Sequence, residues 1–262
     1  MSAPHPPTEG TRVRAFVDRW QASAAAETAN SQLFVSELCD LLGLERPRPQ
    51  GHEEDDYVFE RRVTNVRTGT TNYIDLYRRG SFVWENKQGS DEASAKTRLD
   101  GERVKLKSGT AKRGTPGWET AITKAKNQAR RYARALPEAH GWPPFLVVCE
   151  IGYCIDLYAD FSGQGKNYTP FPDVNRYRLQ LDQLHEPKVQ DLLRTLWNEP
   201  ASLDPSAESA RVTRELAARL GELAKRLKAR GNAPDAVAQF LKFCLCSTFG
   251  RIMTVQQLWQ FD

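Results

Sequence analysis

Histidine and cysteine are scarce in this sequence, with 4 and 5 among 262 residues, and their positions remove several kinds of chemistry from consideration. His5, His52, His140 and His185 flank turns or lie in the N-terminal tail, none beside a partner at metal-ligand spacing, so histidine-based catalysis is disfavoured. Cys39, Cys149, Cys154, Cys244 and Cys246 are dispersed and odd in number, and no Cys-x-x-Cys pair occurs, which argues against a structural zinc site. Cys39 and Cys149 sit in apolar runs and read as small core residues, and free thiols fit a reducing cytoplasm. There is no Gly-x-Ser-x-Gly elbow and no Gly-x-x-x-x-Gly-Lys-Ser/Thr phosphate loop, so serine-hydrolase and nucleotide-triphosphatase readings lose their main support. The first ten residues are polar and proline-containing rather than a signal peptide, and no apolar run approaches membrane length. The expected setting is cytoplasmic, with no membrane partner.

Excess charge of either sign is also missing. Lys and Arg total 37 against 33 Asp and Glu, a formal +4, so any affinity for nucleic acid must come from local patches. One patch runs from Ser90 to Gly117, where Gly, Ser, Thr and charge dominate. Lys96, Arg98, Arg103, Lys105, Lys107, Lys112 and Arg113 there face only Asp91, Glu92, Asp100 and Glu102. Two readings stand: a basic flexible loop that follows the phosphates of a duplex, or a solvated loop. A second run, Lys124, Lys126, Arg130, Arg131 and Arg134, falls on a helical pattern and reads mainly as a solvated helix face.

What the chain does hold is a carboxylate, a second carboxylate ten residues on, and a lysine two residues further. The segment is Asp75-Leu-Tyr-Arg-Arg-Gly-Ser-Phe-Val-Trp-Glu-Asn-Lys87. Its flanks read as strands, Thr71 to Arg78 and Phe82 to Gln88, with Gly80 in the turn. Alternation puts Val83, Glu85 and Lys87 on one face and Phe82, Trp84 and Asn86 on the other. An odd turn, Arg79-Gly80-Ser81, pairs Arg78 with Phe82 and sets Asp75 opposite Glu85; an even turn separates them. Two carboxylates beside an amine can hold Mg²⁺, which needs few protein oxygens because it keeps several waters, and Mn²⁺ is the alternative ion. Lys87 could orient a metal-bound water or offset charge developing on a phosphate.

Downstream, Trp118 to Leu136 has a helical pattern bounded by Pro116-Gly117 and Pro137. Its Gln128 and Tyr132 lie one turn apart on one face. Phe145 to Cys149 and Tyr153 to Tyr158 read as buried strands. Upstream, Val13 to Gly43 is helical by periodicity, with Phe16, Val17, Trp20, Leu33, Phe34, Leu38, Leu41 and Leu42 as core stripes. Asn175 to Gln183 reads as a last strand, Pro187 to Trp197 as a helix, and Ala207 to Arg230 as a long helix with a stripe of Leu216, Leu220, Leu223 and Leu227. Gly231-Asn232 ends that helix and Pro234 starts another.

Asp75, Glu85-Asn86-Lys87 and Gln128 to Tyr132, in the order helix, hairpin, helix, strand, strand, resemble the core of the PD-(D/E)xK nuclease superfamily and the Gln-x-x-x-Tyr helix of its RecB-like branch. More narrowly, the stretch Glu27 to Gly43, Tyr57-Val-Phe-Glu60, Ile74-Asp-Leu-Tyr77 and Trp84-Glu-Asn-Lys-Gln-Gly89 resemble the start of MmeI-like enzymes and of phage-defence DNA methyltransferases. The resemblance implies an α/β fold: a restriction-endonuclease-like core whose mixed sheet is flanked by helices, followed by a small all-helical segment. It implies Mg²⁺-dependent DNA cleavage at Asp75, Glu85 and Lys87. Gln128 would contact substrate backbone and Tyr132 would pack the helix. Glu27 would either face the metal through water or favour the positive end of its helix.

The same resemblance divides the chain into a disordered tail over residues 1–11, a nuclease domain over 12–185 containing the flexible loop at 90–117, an incomplete helical spacer over 186–245, and an aberrant tail over 246–262. A truncation or frame change near Cys246 is the expectation for that last departure. Neither a Gly-rich methyl-donor loop nor an Asn-Pro-Pro-Tyr motif occurs, so no S-adenosylmethionine site is expected in these residues. Expected partners are DNA, the methyltransferase and target-recognition parts of such enzymes, in cis or in trans, and a second copy of the chain. The competing reading is a non-cleaving DNA-binding or assembly module, or an inert fragment of an adenine methyltransferase.

Overall fold

The structure, a computed structural model, describes residues 9–22, 27–51, 55–64, 69–87 and 112–243, with the backbone alone for 27–29 and 208. Its first elements are α1 (Glu9–Gln21), α2 (Glu27–Leu42), β1 (Arg48–Pro49), β2 (Tyr57–Thr64), β3 (Thr71–Arg78) and β4 (Phe82–Lys87). There follow α3 (Pro116–Ala133), β5 (Phe145–Glu150), β6 (Cys154–Ala159), β7 (Thr169–Pro170), β8 (Arg178–Gln180), α4 (Pro187–Asn198) and α5 (Pro205–Ala229). The strands form one sheet in the order β1-β2-β3-β4-β5-β6-β7, with β8 also paired to β6. β1–β2 and β4–β5 are parallel and the remaining pairs antiparallel, so the sheet is mixed and the fold is α/β as expected.

Local chemistry accounts for the central elements. Gly80 turns the β3–β4 hairpin at φ +69°, a left-handed conformation that glycine adopts without steric cost. Thr115 begins α3, its side chain accepting from the Trp118 amide at 3.3 Å, and Pro116 follows with φ already set for a helix. On one face α3 buries Trp118, Ile122, Ala125, Ala129 and Ala133; three alanines let the helix lie close on the sheet. β5 and β6 are buried at every position, the charged Glu150 and Asp156 included.

Helices cover both faces of the sheet. On one side α1, α2 and α4 contribute Trp20, Phe34, Leu38, Leu193 and Trp197 to a core with Trp84, Phe145 and Val147. On the other, α3 packs on Val83, Leu146 and Val148. Trp20 of α1 donates its Nε1–H to Glu37 of α2 at 2.9 Å and meets Phe34 edge-on at 5.1 Å.

Three features depart from the sequence expectations. β2 was not foreseen as a strand, yet it pairs with β3 from Tyr57 to Thr64 with a single interruption at Glu60. The stretch from Asn175 to Gln183 yields only three strand residues, Arg178–Gln180. Beyond them Gln180 and Gln183 cap each other reciprocally and the chain winds into a 3-10 turn at Leu181–His185. Finally, α4 falls inside the α/β unit rather than beyond a boundary at 185. That compact unit closes at Leu203, because Leu193, Leu196 and Trp197 are needed in its core.

The second unit begins at Asp204 and contains α5 and a helix over 234–243. Asp204 caps α5 by accepting from the Ser206 amide at 2.8 Å. Along α5, Val212, Leu216 and Leu223 keep 40%, 42% and 37% exposure, so the leucine stripe is only partly covered among the described residues. No described helix is long and apolar enough to cross a membrane.

Candidate functional site

The hairpin register decides whether the two carboxylates meet. Arg78 pairs with Phe82, Tyr77 with Val83 and Leu76 with Trp84, the odd three-residue turn that the sequence allowed. One step further, Asp75 stands across from Glu85. There the regular ladder ends, because the Asp75 carboxylate itself accepts the Asn86 backbone N–H at 2.7 Å. Glu85 is 2% exposed, and Lys87, two residues on along the same strand face, donates from Nζ to Glu85 Oε1 at 3.0 Å. The Lys87 side chain keeps 27% exposure, so its amine joins a buried carboxylate to solvent. On the opposite face Trp84 donates Nε1–H to Asn86 Oδ1 at 2.8 Å, which fixes the strand between the two acids and the core.

From α3, Gln128 Nε2 donates to the Tyr132 hydroxyl at 2.9 Å. Burial pushes the Tyr132 phenol upward, and the negative charges of Glu85 and Asp75 push the same way while Gln128 and Lys87 oppose. The Gln-x-x-x-Tyr face and the hairpin acids therefore share one electrostatic neighbourhood. Gln128 holds the Tyr132 hydroxyl that lies in this neighbourhood.

Asp75 is raised above the ordinary aspartate value of 3.8, first by burial, while the Asn86 hydrogen bonds and the Lys87 charge pull it back. In metal-free protein the folded state thus keeps the Asp75 proton to higher pH than the unfolded chain does. Folding then binds more protons, and Asp75 costs stability progressively as pH rises above 3.8 through the carboxylate range. Asp75→Asn retains an oxygen for the Asn86 amide and removes that cost. Without metal its melting temperature should match the unsubstituted protein in acid and exceed it at neutral pH; a pH-independent difference would contradict this electrostatic account.

The remaining expected site residues lie apart from this cluster or outside the described residues. Glu27 is the first residue of α2, and its side chain is outside the described residues, as are Lys96, Arg98, Arg103, Lys105 and Lys107. Lys112 is exposed just before α3. Arg113 is drawn into the fold: Nε pairs with Glu150 Oε1, Nη2 donates to the Ile151 carbonyl at 3.1 Å, and the guanidinium lies 4.8 Å from the Tyr153 ring. With Glu150 also accepting the Trp118 indole N–H, Arg113 ties the start of α3 to the β5–β6 turn instead of presenting a free charge to phosphate.

Sequence reasoning overlooked Glu60, which stands opposite Asp75 on the other side of β3. It also overlooked Asp156, fully buried and clasped by Arg178 at 2.8 Å through two nitrogens. Arg178 reaches Glu119 of α3 as well, at 2.6 and 3.1 Å, so this network locks the helix to the sheet. Nothing in the local spacing marks Asp156 or Arg178 as partners, since they meet only through the β6–β8 pairing.

Fold and site together define a mixed-sheet α/β domain with a facing carboxylate pair and an adjoining lysine. The family described as "MmeI, N-terminal domain" matches residues 11–230, and the chain belongs to that family. Membership points to a restriction–modification enzyme. No curated protein and no solved structure matches the chain.

Proposed function

We propose that this chain is the DNA-cleaving module of a restriction–modification enzyme, a PD-(D/E)xK-type nuclease that hydrolyses phosphodiester bonds with Mg²⁺ or Mn²⁺. The observation that carries the reading is the placement of Asp75 across from Glu85 with Lys87 Nζ 3.0 Å from the latter, in a chain of the MmeI N-terminal family. The donor chemistry fits the ion. Both acids offer hard carboxylate oxygens, and burial disfavours the charge on Asp75 until a cation joins it. Among the described residues no three His, Cys, Asp or Glu side chains gather at one ion position, so two carboxylates would hold the metal, with water and phosphate completing its shell.

The bound ion would lower the pKa of a coordinated water and counter charge on the phosphate. The chain's own groups do the rest. Asp75 and Glu85 orient the ion, and the partly exposed Lys87 ammonium directs a water or neutralises the pentavalent phosphorus oxygens as charge builds. The Gln128–Tyr132 pair walls the site from α3. The substrate is DNA. Target choice and methyl transfer are assigned to further parts of the enzyme, in cis or in trans, and a second copy of the chain would bring a site to the other strand.

Purified protein should nick supercoiled plasmid only when Mg²⁺ or Mn²⁺ is present, and Asp75→Ala should not nick it. Binding of DNA without cutting under either ion, or nicking that survives Asp75→Ala, would leave a non-cleaving binding module as the better description.

A further inference from the structure

β2 and β3 pair in constant register from Tyr57↔Arg78 to Thr64↔Thr71, with one interruption, where Glu60 and Asp75 stand unpaired between Phe59↔Leu76 and Arg61↔Ile74. Both strands change side at that point. Phe59 and Leu76 lie in the core layer of Trp84 and Trp197, whereas Val63 and Ile74, each an even number of residues away, lie in the layer under α3. Regular alternation would have kept them on the same face. The switch is made at Glu60, whose φ of +54° is in the left-handed region, the one non-glycine residue with positive φ among the described residues. An L-residue with a Cβ occupies that region at a cost, and glycine would occupy it freely.

A glutamate thus stands where the backbone favours glycine. Its side chain is half-buried, feels the charge of Asp75, and is hydrogen-bonded by Gln32 of α2. Asp75 consequently has an acid on each side: Glu85 on β4 and Glu60 on β2. A backbone requirement alone does not explain a second carboxylate close enough to Asp75 to feel its charge, because like charges on neighbouring strands repel. A cation shared by the row removes that repulsion.

Resting on the nuclease reading above, we propose that Glu60 is a positioning residue of the same site. Its carboxylate holds a water of the divalent cation carried by Asp75 and Glu85, while Gln32 orients Glu60 from α2. Glu60 stays outside direct ligation, in line with the two-carboxylate donor set. Residues that orient a metal's ligands in this way are worth about 10- to 100-fold in metal affinity.

The test is Mn²⁺ binding by calorimetry or paramagnetic resonance on the full chain, beside thermal melts in chelator, for Glu60→Gln, Glu60→Gly and Asp75→Ala. Glu60→Gln should weaken Mn²⁺ binding about tenfold, and Asp75→Ala should weaken it further. Glu60→Gly should melt at or above the temperature of the unsubstituted protein, because its backbone strain is relieved, and yet lose Mn²⁺ affinity as Glu60→Gln does. A residue retained only to shape the strands would show no such split between stability and metal binding. If both Glu60 variants bind Mn²⁺ like the unsubstituted protein while Asp75→Ala does not, the role of Glu60 is overturned and the nuclease site stands. If Asp75→Ala binds Mn²⁺ normally, the metal site itself is overturned, and the role of Glu60 with it.

Discussion

Lys87→Ala should lower metal-dependent DNA hydrolysis by about 10²- to 10³-fold, the usual loss when a group aimed at transition-state charge is removed. The ammonium sits 3.0 Å from Glu85 Oε1 at the end of β4. Glu85 is 2% exposed, so without metal the substitution also leaves a buried carboxylate short of its cation and should lower the melting temperature. Added Mg²⁺ should restore stability but not rate, since the ion can replace the lysine as a countercharge and cannot replace it as a donor. Lys87→Arg separates the two roles further. It keeps the charge, and hence most of the stability, while a planar fork in place of a compact ammonium misplaces the donor and leaves the rate low. Single-turnover nicking at saturating metal measures the effect, and a Lys87→Ala rate within about threefold of the unsubstituted protein would remove lysine from the chemistry, since that difference is under 1 kcal/mol.

Trp197→Ala should cost about 3–5 kcal/mol of folding stability, the range for deleting a buried aromatic side chain. Trp197 is 1% exposed and packs at 4.7 Å from Phe82 and 5.4 Å from Trp84, beneath the strand that carries Glu85 and Lys87. Its Nε1–H also donates to the Tyr57 hydroxyl at 2.8 Å, so one side chain joins α4, β2 and β4. Ser81 in the hairpin turn donates to the Leu196 carbonyl at 2.5 Å, a second tie between α4 and the turn that sets the Asp75–Glu85 register. Chain ending at residue 185 should therefore fail to fold as an α/β unit, although that boundary follows the sequence pattern. Urea unfolding of Trp197→Ala settles the matter, with a loss below about 1 kcal/mol meaning that α4 is an appendage after all.

Much of the hairpin site could be read without coordinates because it is local. A glycine in an odd turn and the twofold alternation of a strand are short-range rules, and together they put Asp75 across from Glu85 and Lys87 on the face of Glu85. The fourfold spacing of Gln128 and Tyr132 was equally local and is realised as a hydrogen bond within one helix. The leucine stripe of α5 likewise shows as a stripe in the sequence.

Partnership across the fold was not legible. Arg113 belongs to a run of cations whose composition says nothing of a buried glutamate 37 residues away, so its engagement by Glu150 appears only once β5 and α3 are docked. Glu60 escaped notice because β2 breaks its own alternation at that residue, which erases the period that marks a strand and hides the acid facing Asp75. An amphipathic α4 announces a buried face but not the surface that buries it, and Trp84 of β4 supplies that surface more than a hundred residues earlier in the chain. Sequence alone determined the turn, the alternation and the helix faces, because each is settled by neighbours within a few residues. Tertiary structure decided which charges are engaged, where the α/β unit ends and which third acid stands beside Asp75, because burial and strand pairing join residues that no local rule connects.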